Sequence, residues 1–194
     1  MAVPLLCRDA WGAAPAGAGG RPHEVTGLMI HHSAALLDDN RRAPSHFRDH
    51  QRYHQDQGWP DIAYHVGVDR NGHCYDLRDP AIAGDTFTSY EPAGWLLVLA
   101  EGNFDEQQPS DAQVQSVAAV LAWWASTFGV ATAIAAHRDV APTACPGDAL
   151  YALVGDGSLR ERVDALIANG GVTLERWCGP QAEERIGEIG SGAA

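Results

Sequence analysis

From His137 to Gly147 the chain reads His-Arg-Asp-Val-Ala-Pro-Thr-Ala-Cys-Pro-Gly, and no single regular element can aim the histidine and the cysteine of this stretch at one point. Eight positions separate His137 from Cys145, too many for one helix face, so the chain must turn back for the two to meet. Pro142 and Pro146 restrict that turn, each ring removing backbone freedom that binding would otherwise have to overcome. Imidazole nitrogen and thiolate sulfur are the donors that a borderline-soft divalent ion takes, zinc above all. Two donors do not complete a site, so a third must come from elsewhere.

The short apolar run Gly27-Leu28-Met29-Ile30 is followed at once by His31-His32-Ser33, which places two imidazoles at the end of a buried strand. Successive strand residues point to opposite faces. His31 is the expected third ligand, with His32 hydrogen-bonded on the other side. Ala133-Ile134-Ala135-Ala136 reads as the last short strand and delivers His137 in the same way. His46, His50 and His54 share one face of a helix expected over Pro44 to Gln57 and ended by Gly58. That i, i+4 spacing suits a metal, but with no acid or thiol beside the histidines in the sequence a solvated or substrate-facing helix is expected there.

Tyr64 to Val68 alternates like a strand, Asp69-Arg70-Asn71-Gly72 supplies a turn, and His73 to Leu77 returns, a hairpin marked by its Asn-Gly step. Trp95 to Ala100 is apolar without a break, as in a central strand covered on both faces. Ser110 is expected to cap a long helix that Gly129 stops, with Val114, Val117, Ala118, Leu121, Trp124, Ala125 and Phe128 as its buried stripe. A capping box at Ser158 to Glu161 is expected to start a final helix that carries Val163, Leu166 and Ile167 and finishes at Gly170. The lead-in through Pro22 reads as irregular and anchored by Trp11. These elements predict an α/β protein, a mixed central sheet with helices packed on it and the zinc site at strand ends. Residues 1–170 are expected as one catalytic domain and 171–194 as a weakly patterned, partly flexible extension.

A chain of 194 residues fits one domain that needs no disulfide staples. Twenty-five acids against 13 bases, all arginine, give a net charge of -12, a field that disfavours nucleic acid, anionic membrane and anionic wall polymer and suits a small or neutral ligand. The N-terminal residues show neither a basic start nor a long apolar centre, so a cytoplasmic location is expected, with release from the cell as the alternative. Of the four cysteines, Cys7, Cys74, Cys145 and Cys178, only Cys145 has a chemical context. Cys7 and Cys178 meet only if the termini lie together.

His31-His32-Ser33 after a strand, Gly58-Trp59-Pro60-Asp61-Ile62-Ala63-Tyr64-His65 entering a strand, and His137-Arg138-Asp139-Val140 through Thr143-Ala144-Cys145-Pro146-Gly147 stand in one order. The pattern resembles the type 2 N-acetylmuramoyl-L-alanine amidases and the peptidoglycan recognition proteins, over residues 8–151. The resemblance implies His31, His137 and Cys145 as zinc ligands and Tyr64 and Thr143 as catalytic helpers beside the metal. Zinc with two imidazoles, one thiolate and an open position lowers the pKa of water to about 7, which suits hydrolysis of the amide between N-acetylmuramic acid and L-alanine. No residue presents itself as the general base. The sequence departs from the family at Asp85, Glu91 and Trp95, where histidine, asparagine and a small residue are usual, so an altered groove is expected. Two alternatives therefore stand beside the muropeptide amidase: the same centre acting on another small-molecule amide, and a binding-only module, against which Cys145 argues.

Overall fold

The unbroken apolar run at Trp95–Ala100 forms a strand, β5, with Leu96 through Ala100 fully buried, as its lack of alternation requires. The computed structural model describes residues 1–194, and β5 lies near the middle of a seven-stranded sheet. In chain order the other elements are β1 (Ala2–Leu6), β2 (Gly27–His32), α1 (Ala43–Asp56), β3 (Val66–Val68), β4 (Cys74–Asp76), α2 (Asp111–Phe128), β6 (Ile134–Ala136), α3 (His137–Val140), α4 (Asp148–Gly155), α5 (Ser158–Ala168), β7 (Thr173–Trp177) and α6 (Pro180–Ser191). The strand order is β6-β2-β5-β3-β4-β1-β7. All neighbours are parallel except β3 and β4, the expected hairpin, where Val68 faces Cys74. The expected mixed α/β architecture is therefore present. No helix is long and apolar enough to cross a membrane.

Helices cover both sheet faces. On one, Leu28, Ile30, Leu96 and Val98 pack against Val117, Leu121 and Trp124 of α2 and Leu159 and Val163 of α5. On the other, Leu6, Leu77 and Leu99 pack with Phe47 of α1, Trp11, and Ala182 and Ile189 of α6. Ser110 caps α2 by accepting the Gln113 amide, and Gly129 ends it in the left-handed region (φ 66°), both as the sequence predicts. Phe128 departs from the expected stripe. It sits in the last turn and is exposed.

Three further expectations are corrected. The lead-in is not wholly irregular, since Ala2–Leu6 joins the sheet between β4 and β7. Trp11 is indeed core, with its indole N–H donating to the Asp76 carbonyl at 2.9 Å. Ser158 is the first residue of α5 rather than its cap. Gly157 holds the cap position at φ 82° without a side-chain bond, and Asp156 accepts the Ser158 amide at 2.9 Å. Neither that helix nor β6 is the last element, because the weakly patterned residues beyond 170 form β7 and α6, and β7 pairs with β1 from Ala2↔Thr173 to Leu6↔Trp177.

The strand pairing brings the two ends of the chain together, and Cys7 is disulfide-bonded to Cys178 across 171 positions of sequence. Closing so long a loop restricts the unfolded chain by up to ~5 kcal/mol in the chain-entropy account. Cys178→Ser is expected to lower unfolding free energy by about 2–5 kcal/mol in chemical denaturation while leaving metal content unchanged.

His65, at the entry to β3, is buried with both ring nitrogens engaged: Nδ1 accepts the Leu97 amide at 2.9 Å and Nε2 lies 3.0 Å from the Ile82 carbonyl. Only the neutral ring with hydrogen on Nε2 satisfies both. Burial pushes its pKa down to about 3. Between that value and the unfolded value near 6.5 the unfolded chain holds the extra proton. Stability therefore falls as pH drops through this window, by ~1.4 kcal/mol per pH unit for this one group. Urea denaturation at pH 7 and pH 5 is expected to show that loss, with a shallower slope in His65→Asn. Equal slopes in the two proteins contradict the assignment.

Candidate metal centre and its groove

β2, β5 and β6 run in the same direction, so their C-terminal ends open at one edge of the sheet, where open α/β sheets receive ligands. β2 lies between the other two, and its His31 stands opposite Leu99. His137 begins α3 directly after β6. Asp139 fixes that corner by accepting the Ala136 amide at 2.7 Å. The turn expected between His137 and Cys145 is closed by the Arg138 amide, which donates to the Cys145 carbonyl at 3.0 Å. The Arg138 guanidinium adds bonds to the Ala144 carbonyl and, at 2.8 Å, to Asp148. Gly147 seats the loop. It has φ +83°, and a Cβ there would lie 2.6 Å from the backbone of Phe104 and 2.9 Å from His32 Nδ1. Only glycine permits that approach.

His31, His137 and Cys145 thereby converge, with one ligand atom from each lying within 4.8 Å of the others. The Cys145 sulfur is 3.5 Å from His31 Nδ1, and the rings of His31 and His137 stand 4.8 Å apart. His32 turns aside as expected, its Nδ1 accepting the Phe104 amide at 3.2 Å, while its own amide donates to the Cys145 sulfur at 3.4 Å.

The donor set suits a divalent cation. Burial holds His31 well below the ordinary histidine range and lowers His137 to about 4, so both imidazoles are neutral lone-pair donors at pH 7. Thr88 Oγ1 lies 2.8 Å from His137 Nε2; accepting that N–H leaves Nδ1 bare, the kind of outer contact that orients metal-binding histidines. His31 Nε2 is buried with no hydrogen-bond partner. Burial raises the Cys145 thiol to about 12, against the opposing bond from the His32 amide. With protein groups alone the sulfur stays protonated, and a coordinated cation reverses that preference. One thiol and two neutral imidazoles in a half-buried setting match the ligand preference of zinc.

The three donors lie in a cavity of about 370 Å³ whose lining includes Tyr64 and Thr143. The Tyr64 ring is 5.1 Å from that of His31. The loop leading to Tyr64 is pinned by Asp61, which pairs with Arg8 at 2.9 Å and accepts from Gln51 at 2.7 Å. His54 adds a third anchor by accepting the Ala63 amide at 3.2 Å. Burial pushes the Tyr64 phenol far above its ordinary pKa, so it remains a neutral donor. Thr143 Oγ1 accepts the Cys145 amide at 3.2 Å. That is a turn bond, and it leaves the hydroxyl hydrogen free.

The groove differs from expectation in two respects. Of the three altered positions only Asp85 lines the cavity, paired with Arg78 at 2.7 Å. Glu91 is outside it in an exposed pair with Arg21. Trp95 starts β5 at the opposite end of the strand, its ring occupying the space above Gly27 where a side chain would meet it at 2.6 Å. The α1 histidines also divide. His54 lines the cavity, its ring 4.8 Å from Trp59. His46 and His50, still partly exposed, turn away from the groove to a buried acid, Glu101, against the expectation of a solvated or substrate-facing face. Residues that the sequence did not mark include Thr88 and the exposed Phe87, whose ring lies 4.2 Å from that of Trp59, tilted by 33°, at the rim.

A family model described as N-acetylmuramoyl-L-alanine amidase matches residues 21–148. The human N-acetylmuramoyl-L-alanine amidase is 34% identical over 164 residues, which is 79% of this chain but only 28% of the human protein. The crystal structure of Drosophila peptidoglycan recognition protein SD is similar with a TM-score of 0.71 and 28% identity, over 78% of this chain and 93% of that one. Peptidoglycan recognition protein LE, solved with tracheal cytotoxin, a monomeric diaminopimelic acid-type peptidoglycan, shares the fold at a TM-score of 0.70 and 24% identity, over 78% of this chain and 92% of that one.

Proposed function

The chain belongs to the N-acetylmuramoyl-L-alanine amidase family, and from that premise we propose that it is a zinc-dependent amidase that hydrolyses the bond between N-acetylmuramic acid and L-alanine in peptidoglycan or its fragments. The observation that carries the proposal is the convergence of His31, His137 and Cys145 in one open cavity. A recognition protein that only binds needs the groove and not the thiol. The neighbour solved with a muropeptide supports a substrate of that class.

When bound, zinc supplies Lewis acidity and a coordination site at which water loses its proton near neutral pH. The chain's own residues do the rest. His31 and His137, kept neutral by burial, and Cys145 hold the ion, and Thr88 keeps His137 in the tautomer that presents Nδ1. Tyr64 offers a phenolic O–H, and Thr143 a hydroxyl, to the oxygen of the scissile carbonyl as it gains negative charge. Trp59 and Phe87 give the rim an apolar face on which a sugar ring can lie. The Cys7–Cys178 bond is of a kind that persists in oxidising surroundings, which favours a site of action outside the cytoplasm.

A second reading, hydrolysis of another small-molecule amide at the same centre, draws on the net charge of -12 and on Asp85 in the cavity. Incubation of the purified protein with defined muropeptides, followed by mass spectrometry with a chelated control, separates the two. Release of the peptide from the muramoyl group, abolished by the chelator, is expected. Stoichiometric zinc without turnover transfers the activity to a different amide.

A further inference from the structure

A fully buried carboxylate is costly unless it is paired, and Glu101, the residue after β5, is 0% exposed. Its partners both come from α1. His46 Nδ1 lies 2.9 Å from Oε1, and His50 Nε2 lies 3.1 Å from Oε2 and 3.3 Å from Oε1. The i, i+4 spacing of the two histidines puts both rings on one face of the helix, and that face lies over the end of the strand. Ligand atoms from the three residues lie within 4.8 Å of one another. None of the three belongs to the cavity around His31, His137 and Cys145.

We propose that His46, His50 and Glu101 form a second divalent-metal site, selective for zinc-like ions and built from two histidines and one carboxylate. Around an ion with bonds of about 2.0–2.1 Å, ligand atoms stand roughly 3.3 Å apart. The nitrogen-to-oxygen separations here, 2.9 to 3.3 Å, are already close to that, and the ion takes the place of the bridging protons. The imidazole side chains are 11% and 21% exposed, which leaves a path for the ion and a solvent side for a water ligand. Burial pushes Glu101 up, yet the bonds from His46 and His50 hold it below the usual carboxylate range, so it stands ready as an anionic ligand. The bound ion ties α1 to the sheet edge and so steadies the helix that carries His54 into the groove.

The site is independent of the amidase centre, and cobalt distinguishes them. A thiolate ligand gives Co²⁺ a strong near-ultraviolet charge-transfer band, whereas a His₂–carboxylate set gives only the weak visible bands. The 194-residue protein, stripped and titrated with Co²⁺, is expected to bind two ions per chain. Cys145→Ala is expected to keep one ion and lose the near-ultraviolet band; His50→Gln, which retains a hydrogen bond to Glu101, is expected to keep one ion and that band. Thermal melting of Cys145→Ala is expected to rise with added Zn²⁺, and His46→Gln in the same background to abolish the rise. The inference is overturned if the protein takes one ion that Cys145→Ala removes entirely, or if His50→Gln and His46→Gln leave the stoichiometry at its original value. Loss of the charge-transfer band is read only against Cys145, so failure of the amidase centre leaves this test intact.

Discussion

Replacing Cys145 with serine is expected to remove zinc from the cavity and to lower kcat/KM for a muropeptide by roughly four orders of magnitude, about 5–6 kcal/mol of transition-state stabilisation. The serine hydroxyl is nearly the same size, but it is a hard, weakly acidic donor in place of the soft one that the proposed site requires. It also inherits the burial that pushes the thiol up to about 12. The backbone contacts that close the loop, from Arg138 N to the Cys145 carbonyl and from Cys145 N to Thr143, do not involve the sulfur. The variant is therefore expected to melt within a few degrees of chelator-treated wild type. Metal analysis and steady-state kinetics on the same preparation check the two halves together. Full activity in a Cys145→Ser protein that has lost the cavity zinc contradicts the account.

Tyr64→Phe is expected to keep zinc and substrate binding but to lower kcat by about 10²–10³-fold, the usual cost of one lost donor to a developing oxyanion. The ring beside His31, 5.1 Å away, is preserved by phenylalanine, so packing does not confound the result. Because burial holds the phenol far above its ordinary pKa, it is protonated throughout the working range. The loss is accordingly expected to be the same from pH 6 to pH 9. A variant that alters the alkaline limb of the pH–rate profile, or one that raises KM with kcat unchanged, assigns Tyr64 a different role.

The elements legible in the sequence are those whose pattern is set by burial alone. β5 and β2 read as unbroken apolar runs because both faces are covered, and α2 announced its cap, its stripe and its stop. β1 and β7 did not read as strands. Each is short, β1 contains Pro4, and the two pair with each other across almost the whole length of the chain. The trio His31, His137 and Cys145, which the fold brings together, was legible because its residue types are chemically uncommon together. Its supports were not, since a threonine such as Thr88 in a Gly-rich connection has no local signature. Glu101 marks the opposite case. An acid after an apolar strand reads as a solvated strand end, and only the fold of α1 across it shows that it is buried under His46 and His50. Trp95 and Glu91 were marked by their departure from a family pattern, but their positions in the fold place them away from the groove.

The most direct test of the central claim is an anomalous-difference map at the zinc absorption edge from crystals of the unmodified protein. The account predicts a peak bonded to His31, His137 and the Cys145 sulfur, with a solvent molecule rather than a protein atom in the remaining position. A map without density among those three side chains, or one in which a fourth protein ligand closes the ion off, contradicts it.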